Sequence, residues 1–384
     1  MGKLKTKKPK KLKSKLSEIK SVSHSLKKKS STKSSEDPSF DSRKADHLAL
    51  SLDTITQTTY NRFLDRVSLR STAFPEINFE DVDLSSEFNG RKLSAPFFIS
   101  SMTSGTALGE PINEAFALLS QEKQIVMGVG SQRKELTDDK ALNEWKRLRK
   151  KYPKALLLSN LGLSQLISTP IDQIKRITDN IEAAGLIVHC NALQECIQKE
   201  GTPQFKNGLK TIEKLTSQLE IPVIVKEVGF GFSQKDLVRL NQTGIYAVDF
   251  SGQGGTNWAR IEALRYPKKS LELDTGFVFS DWGYDITEWV DFHDKDSVSY
   301  QFWGSGGVRN GLDTAKMLAL GSHLVGMAQP WLNSLVIDMK KKKLSPENLF
   351  SFFEKTYREL KIALFCCGYT DVESFRKSKA FYVK

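Results

Sequence analysis

The chain reads as an α/β protein, a (β/α)8 (TIM) barrel with an N-terminal extension, on three observations. Short apolar runs recur eight times from residue 97 onward, at 97–101, 125–130, 155–159, 186–189, 223–226, 246–250, 301–304 and 323–327. Longer amphipathic segments fall between them, at 111–124, 170–184, 207–219, 233–243 and 311–320. Apolar strands alternating with helices predict parallel pairing with helical crossovers, and eight such units close into a barrel of ordinary size. Most of the runs also end in polar or glycine-rich residues. A barrel gathers its strand C-termini on one face, where the βα loops build a site, so scattered motifs become one pocket. An open doubly wound sheet is the alternative, but no Gly-x-Gly-x-x-Gly turn opens the first strand–helix unit.

Before the strands comes a segment of different composition. Residues 1–40 hold thirteen lysines against Glu18, Glu36 and Asp37, so +10 of the net charge of +12 sits there and +2 is left for residues 41–384. Too little apolar surface is present in this Lys/Ser-rich tail to offset the cost of ordering it, and disorder is expected over 1–40. Weak contact with nucleic acid, ribosomes or anionic lipid is one reading of the tail, and a solubilising extension is the other. No apolar core of seven or more residues follows the lysines, which argues against a secretory signal. The body, with 39% apolar residues, has material for a sizeable core and no run long enough to span a membrane. Cys190, Cys196, Cys366 and Cys367 form no plausible disulfide framework and fit reduced thiols in a cytosolic protein.

Taken in order, residues 41–94 carry the cluster Arg43-Lys44-Ala45-Asp46-His47. The first strand ends at Ser101-Met102-Thr103-Ser104-Gly105, the second at Gly130-Ser131-Gln132-Arg133, and the third at Asn160-Leu161-Gly162. The fourth runs into Val188-His189-Cys190-Asn191-Ala192-Leu193-Gln194-Glu195, the fifth ends at Lys226, and the sixth leads to the loop 251–256. Residues 256–299 are long for one crossover, and a helix plus a mobile flap over the barrel mouth is expected there. Ser305-Gly306-Gly307-Val308-Arg309 follows the seventh strand and Gly326-Met327-Ala328-Gln329 the eighth, while 345–373 read as closing helices.

If 188–195 stays extended, His189, Asn191 and Leu193 share one face and Gln194 and Glu195 lie at the rim, able to reach a metal or polar substrate. The plainer reading is a strand end with a solvated Glu. Lys226, pointing into a barrel, needs an anionic partner such as a flavin's N1–C2=O edge or a carboxylate; Schiff-base chemistry is its rival role. Glycine turns after strands seven and eight suit a phosphate, because bare backbone approaches closely and its N–H groups point at the anion. Arg43, Lys44 and His47, with Gln132 and Arg133, suit a diphosphate head. No His-x-x-x-His or Cys-x-x-Cys pattern suggests zinc, whereas Gln194 and Glu195 suit a hard cation such as Mg2+.

Together these segments resemble the type 2 isopentenyl-diphosphate isomerases, the flavin-dependent form of that activity, from about Arg43 to Gly368. The resemblance implies a TIM-barrel isomerase domain over 41–384 that binds FMN, uses Mg2+ and NADPH or NADH as helpers, and forms a cytosolic homo-oligomer, tetramer or octamer. It implies FMN contacts from Ser101, Met102, Thr103, Ser131, Asn160, Lys226, Ser251, Thr256, Gly307, Val308, Arg309, Ala328 and Gln329. Substrate contacts would come from Arg43, Lys44, Ser131, Gln132, Arg133 and Gln194, and Glu195 would hold Mg2+. Departures from the family's pattern are Ser104 for Gly, Gln329 where Arg or Leu is commoner, and Tyr-Asp-Ile-Thr-Glu at 284–288. The implied reaction moves the double bond of isopentenyl diphosphate to give dimethylallyl diphosphate. Reduced flavin would act as acid or base at N5, Gln194 would assist the proton transfer, and His189 and Asn191 would orient it. A 2-hydroxy-acid oxidase on the same barrel is the competing enzyme class, but it needs a histidine in the loop 251–256, which has none.

Overall fold

The structure, a computed structural model, describes residues 38–58, 62–102, 108–293, 297–338, 341 and 343–384. The expected disordered tail lies outside the described residues except for 38–40, and so do Thr103 and Ser104. Residues 38–40 open helix α1, Pro38–Ser51. Eight strands follow: β1 Phe97–Ile99, β2 Val126–Gly128, β3 Leu156–Gly162, β4 Gly185–Cys190, β5 Val223–Glu227, β6 Ala247–Asp249, β7 Gln301–Gly304 and β8 Leu324–Met327. Each pairs in parallel with its sequence neighbour and β8 closes onto β1, so the barrel stands and the open sheet does not. Helices Gly109–Lys123, Ile171–Asn180, Gly208–Gln218, Gln234–Leu240 and Gly311–Ala319 occupy the expected crossovers.

Period-two alternation decides what each strand does. Phe98, Val126, Leu158, Ile187, Ile224, Ala247, Trp303 and Leu324 form one apolar cluster inside the barrel. Their neighbours Phe97, Met127, Leu157, Leu186, Val225, Val248, Phe302 and Val325 belong to the larger cluster beneath the helices. Two residues beyond each inward apolar position stand Ser100, Gly128, Asn160, His189, Lys226, Asp249, Ser305 and Gly326. Successive inward layers therefore change from wholly apolar to wholly polar or bare, toward the strands' C-terminal end. The opposite end is stoppered by the hairpin Ser86–Phe88 and Arg91–Leu93, which adds Phe88 and Leu93 to the inner cluster. Asn89 N donates to Tyr246 Oη at 3.0 Å and pins the hairpin's tip.

The 256–299 crossover differs from expectation. Instead of one helix and a loose flap it contains three short helices, Trp258–Leu264 (α2), Leu271–Val278 and Thr287–Val290. Packing and backbone pairing explain the difference. Trp289 stacks on Phe302 with centroids 3.8 Å apart, Tyr284 N donates to Phe230 O at 2.7 Å, and Gln253 N donates to Tyr284 O at 2.9 Å. Residues 294–296 lie outside the described ones. Pro346–Cys366 and Val372–Lys377 are the closing helices, and the strand Phe381–Val383 pairs antiparallel with Val67–Leu69.

Candidate active site

At the C-terminal mouth the polar layer opens into a cavity of about 1630 Å3, mouth included. Of the residues expected to form the site, all line this cavity except Gln132, and Thr103, which lies outside the described residues.

One side is a glycine cradle. The loops after β6 and β7 lie so close that a Cβ on Gly307 (φ +78°) would stand 2.5 Å from Gly254 O. Any side chain there would force the turns apart, so the bare backbone that suits a phosphate is required by the packing itself. Arg62 Nη1 braces the turn from outside, donating to Gly307 O at 2.5 Å and Asp313 Oδ2 at 3.0 Å. Arg309 donates to the carbonyls of Thr58 and Gly254. Thr58 N donates to Gly255 O at 2.9 Å and Thr256 Oγ1 to Gln57 Oε1 at 3.1 Å, so a strap from the N-terminal region is laced to the β6 loop. Val308, Ala328 and Gln329 complete this wall.

The floor is cationic. Lys226 is 7% exposed, and its Nζ donates to Glu227 O at 2.7 Å and Ser251 Oγ at 2.8 Å, with Asp249 Oδ2 at 3.4 Å. As alternation requires, the Glu227 carboxylate faces away and accepts from the N–H groups of Val228, Gly229 and Phe230; burial nevertheless pushes its pKa up to about 7. In the same layer as Lys226, Asn160 Nδ2 donates to Val129 O at 3.0 Å, which leaves Asn160 Oδ1 to accept from His189 Nδ1 at 2.8 Å. The proton of His189 is thereby assigned to Nδ1 from the hydrogen-bond network, and Nε2 is left as an acceptor. Burial, with Lys44 and Lys226 nearby, pushes the His189 pKa down to about 3 and keeps the ring neutral.

After Cys190 the chain does not stay extended. Asn191 (φ −143°, ψ 44°) turns it into the helix Ala192–Ile197. The shared face expected for His189, Asn191 and Leu193 is therefore lost, and Leu193 packs with Ile197, Phe230 and Ala259. Gln194 and Glu195 are buried in the helix's first turn rather than set at a strand rim. Asn191 Nδ2 donates to Glu195 Oε1 at 3.0 Å and Gln194 Oε1 at 3.3 Å, and Thr202 N donates to Glu195 Oε2 at 2.6 Å. Gln194 Nε2 donates to Glu262 Oε1 at 2.8 Å.

Glu262 is a group the sequence reading missed. Fully buried on α2, it also meets His47 Nε2 at 2.9 Å and accepts from Arg265 Nη1 at 2.7 Å. Burial alone would raise its pKa; His47, Gln194 and Arg265 together hold it below the usual value. A signal existed, since Trp258, Ile261, Glu262 and Arg265 repeat at i, i+3, i+4 and i+7, which places a carboxylate on the helix's inward stripe.

Helix α1 supplies Arg43, Lys44 and His47 to the lining, and Arg133 joins them from the β2 loop. Burial, then Arg43, pushes the Lys44 pKa down to about 8. Gln132 stands behind this wall and is fully buried, accepting at Oε1 from Ser159 Oγ and from Asn160 N, the latter at 3.2 Å. Ser100 Oγ, Ser101 Oγ and Asn191 Oδ1 are buried without protein partners, although their residues line the cavity beside Ser131 and Met102. Buried polar atoms left open around a basic floor and a bare-backbone cradle fit a flavin nucleotide. Glu195 fits Mg2+ in the limited sense of one carboxylate that would share the ion with a phosphate-bearing ligand. Among the described residues no group of three or more His, Cys, Asp or Glu is placed to hold a metal alone.

Comparison with known proteins agrees with this geometry. Residues 188–381 match the FMN-dependent dehydrogenase family. An isopentenyl-diphosphate delta-isomerase of Bdellovibrio bacteriovorus is 45% identical over 344 residues, 88% of this chain and 97% of that one. Another, of Legionella pneumophila, is 43% identical over 329 residues, 86% of this chain and 94% of that one. Among solved structures, a mutant flavocytochrome b2 with pyruvate bound superposes with a TM-score of 0.61 at 14% identity, over 98% of this chain and 92% of that one. A mutant mandelate oxidase gives 0.57 at 13% identity, over 96% and 98%. The structural likenesses speak for the barrel alone; the sequence identities run across nearly the whole length, and by them the chain belongs to the type 2, FMN-dependent isopentenyl-diphosphate delta-isomerases.

Proposed function

We propose that this isomerase works with FMN against Lys226 and the glycine cradle, with its diphosphate substrate beneath Arg43, Lys44 and Arg133. The observation that carries the reading is a single cavity lined both by the glycine cradle with Lys226 and by a cluster of Arg43, Lys44 and Arg133, with Gln194 in the same lining. When bound and reduced by NAD(P)H, FMN supplies an electron-rich ring face and a proton-carrying nitrogen, which suit an alkene passing through tertiary cation character.

The chain's own residues do the placing. Arg43 and Arg133 offer forked donors to the diphosphate and Lys44 a point charge, so the alkene end is directed inward. Glu195 would hold Mg2+ jointly with the diphosphate, neutralising charge there. Gln194 sits with its amide N–H on Glu262, so Oε1 is the atom offered toward the proton being moved. His189, neutral, and Asn191 hold the surrounding hydrogen bonds. Neither carries a positive charge that would oppose the cation. The reading includes a cytoplasmic homo-oligomer, tetramer or octamer.

The test is a visible spectrum and an anaerobic assay of isopentenyl diphosphate with FMN and Mg2+, with and without NADPH. Expected is a yellow protein that makes dimethylallyl diphosphate only after reduction, without consuming NADPH in proportion to product. Stoichiometric NADPH consumption, or a colourless inactive protein after FMN is added, would refute it.

A further inference from the structure

We infer that Asp249 is the positioning residue and counter-charge of Lys226, and so sets how strongly the cavity floor favours a bound flavin's reduced, anionic form. The inference rests on the reading of Lys226 as the flavin's cationic partner.

Three adjacent strands bring the groups together. In the parallel register Lys226 is the partner of Asp249, and Asp249 is the partner of Trp303, two residues before Ser305. Asp249 is 1% exposed and does not line the cavity, whereas Lys226 and Ser305 do. Its Oδ1 accepts from Ser305 Oγ. Its Oδ2 has no hydrogen-bond partner and lies 3.4 Å from Lys226 Nζ.

The geometry is unlike that of an ordinary buried ion pair, where the ammonium closes directly on the carboxylate. Here two neutral acceptors, Glu227 O and Ser251 Oγ, hold Nζ, and an ammonium has three donors. One donor is thus left for a ligand, while the carboxylate behind offsets part of the positive field without capturing the group. In a low-dielectric interior a counter-charge at this range has a large effect on the net field at the floor.

Asp249→Asn removes the charge, keeps the volume and leaves both neutral acceptors of Lys226 in place. After FMN reconstitution, a dithionite titration against a reference dye reads the two-electron midpoint potential. The variant is expected to favour the reduced flavin at least ten-fold more than the wild type, a rise of about 30 mV. Ser305→Ala strips the carboxylate of its hydroxyl donor, lets more of its charge bear on Lys226, and should lower the potential. Opposite shifts at one carboxylate do not follow from general loosening of the floor. An unchanged or lowered potential in Asp249→Asn overturns the proposal. If that variant does not fold, Ser305→Ala decides: a fall supports the proposal, and no change or a rise overturns it. A wild-type protein that takes up no FMN overturns the reading of the site and this inference with it, an outcome distinct from a wild type that binds FMN and variants that do not shift.

Discussion

At the scale of single residues, the site's chemistry depends on which atom of each amide and ring is presented. Gln194 is fixed by Glu262 on its nitrogen side and Asn191 on its oxygen side, so its role is tied to one orientation. Gln194→Ala should cut turnover by roughly 100-fold or more if the amide shares in the proton transfer. Near-full turnover with normal flavin content would remove it from the mechanism. Glu195 already accepts from Asn191 at Oε1 and from both the N–H and the hydroxyl of Thr202 at Oε2, which aims the carboxylate and leaves a lone pair on Oε1 for a cation. Glu195→Gln should raise the Mg2+ concentration needed for half-maximal rate by about ten-fold or more, since an amide is a poorer ligand for a hard cation. An unchanged Mg2+ titration would refute the assignment.

At the scale of elements, the barrel strands were the most legible part of the sequence, because a parallel strand buried on both faces is a nearly continuous apolar run. Lys226 was legible for the same reason, as a charge at the end of such a run. What alternation could not foresee was where extension stops. The turn at Asn191 is set by the helix that follows it, and this moved Gln194 and Glu195 from a rim to a buried helical turn. Glu262 was hidden inside a crossover read as one helix and a flap, although its helical spacing was available. Gln132 sits beside Ser131 and Arg133 in sequence, yet its side chain turns behind the wall to brace β3. The stopper hairpin gives a prediction of its own. Phe88 is fully buried in the inner cluster, so Phe88→Ala should cost about 3–5 kcal/mol. Because the lesion lies at the far end from the cavity, turnover well below the lowered melting temperature should stay near wild type. Denaturant unfolding and a low-temperature assay check both halves.

At the scale of the whole molecule, charge divides the chain into a strongly basic start and a nearly neutral body. Every residue assigned to the cavity lies at or beyond Arg43, so removal of residues 1–37 should leave turnover and FMN content unchanged; loss of either would place part of the site in the tail. Imidazoles kept neutral on folding contribute to the body's acid stability, alongside carboxylates held below their usual range such as Glu373. Burial, with Arg376 nearby, pushes the His323 pKa down to about 4. An unfolded chain takes up that proton near pH 6.5, so between about 6.5 and 4 the unfolded state binds more protons than the folded one. The contribution is intact above pH 6.5 and is lost as pH falls toward 4. His189 adds the same sign down to about 3, whereas Glu227, raised to about 7, opposes both as its carboxyl takes up a proton in the fold. A difference measurement removes the others. His323 lies outside the cavity lining, and His323→Gln cannot take up the proton in either state. Urea unfolding of both proteins at pH 6.5, 5.5 and 4.5 should show the wild type losing ground to the variant by about 1.4 kcal/mol per pH unit at most. Parallel stability profiles would mean that His323 titrates alike folded and unfolded.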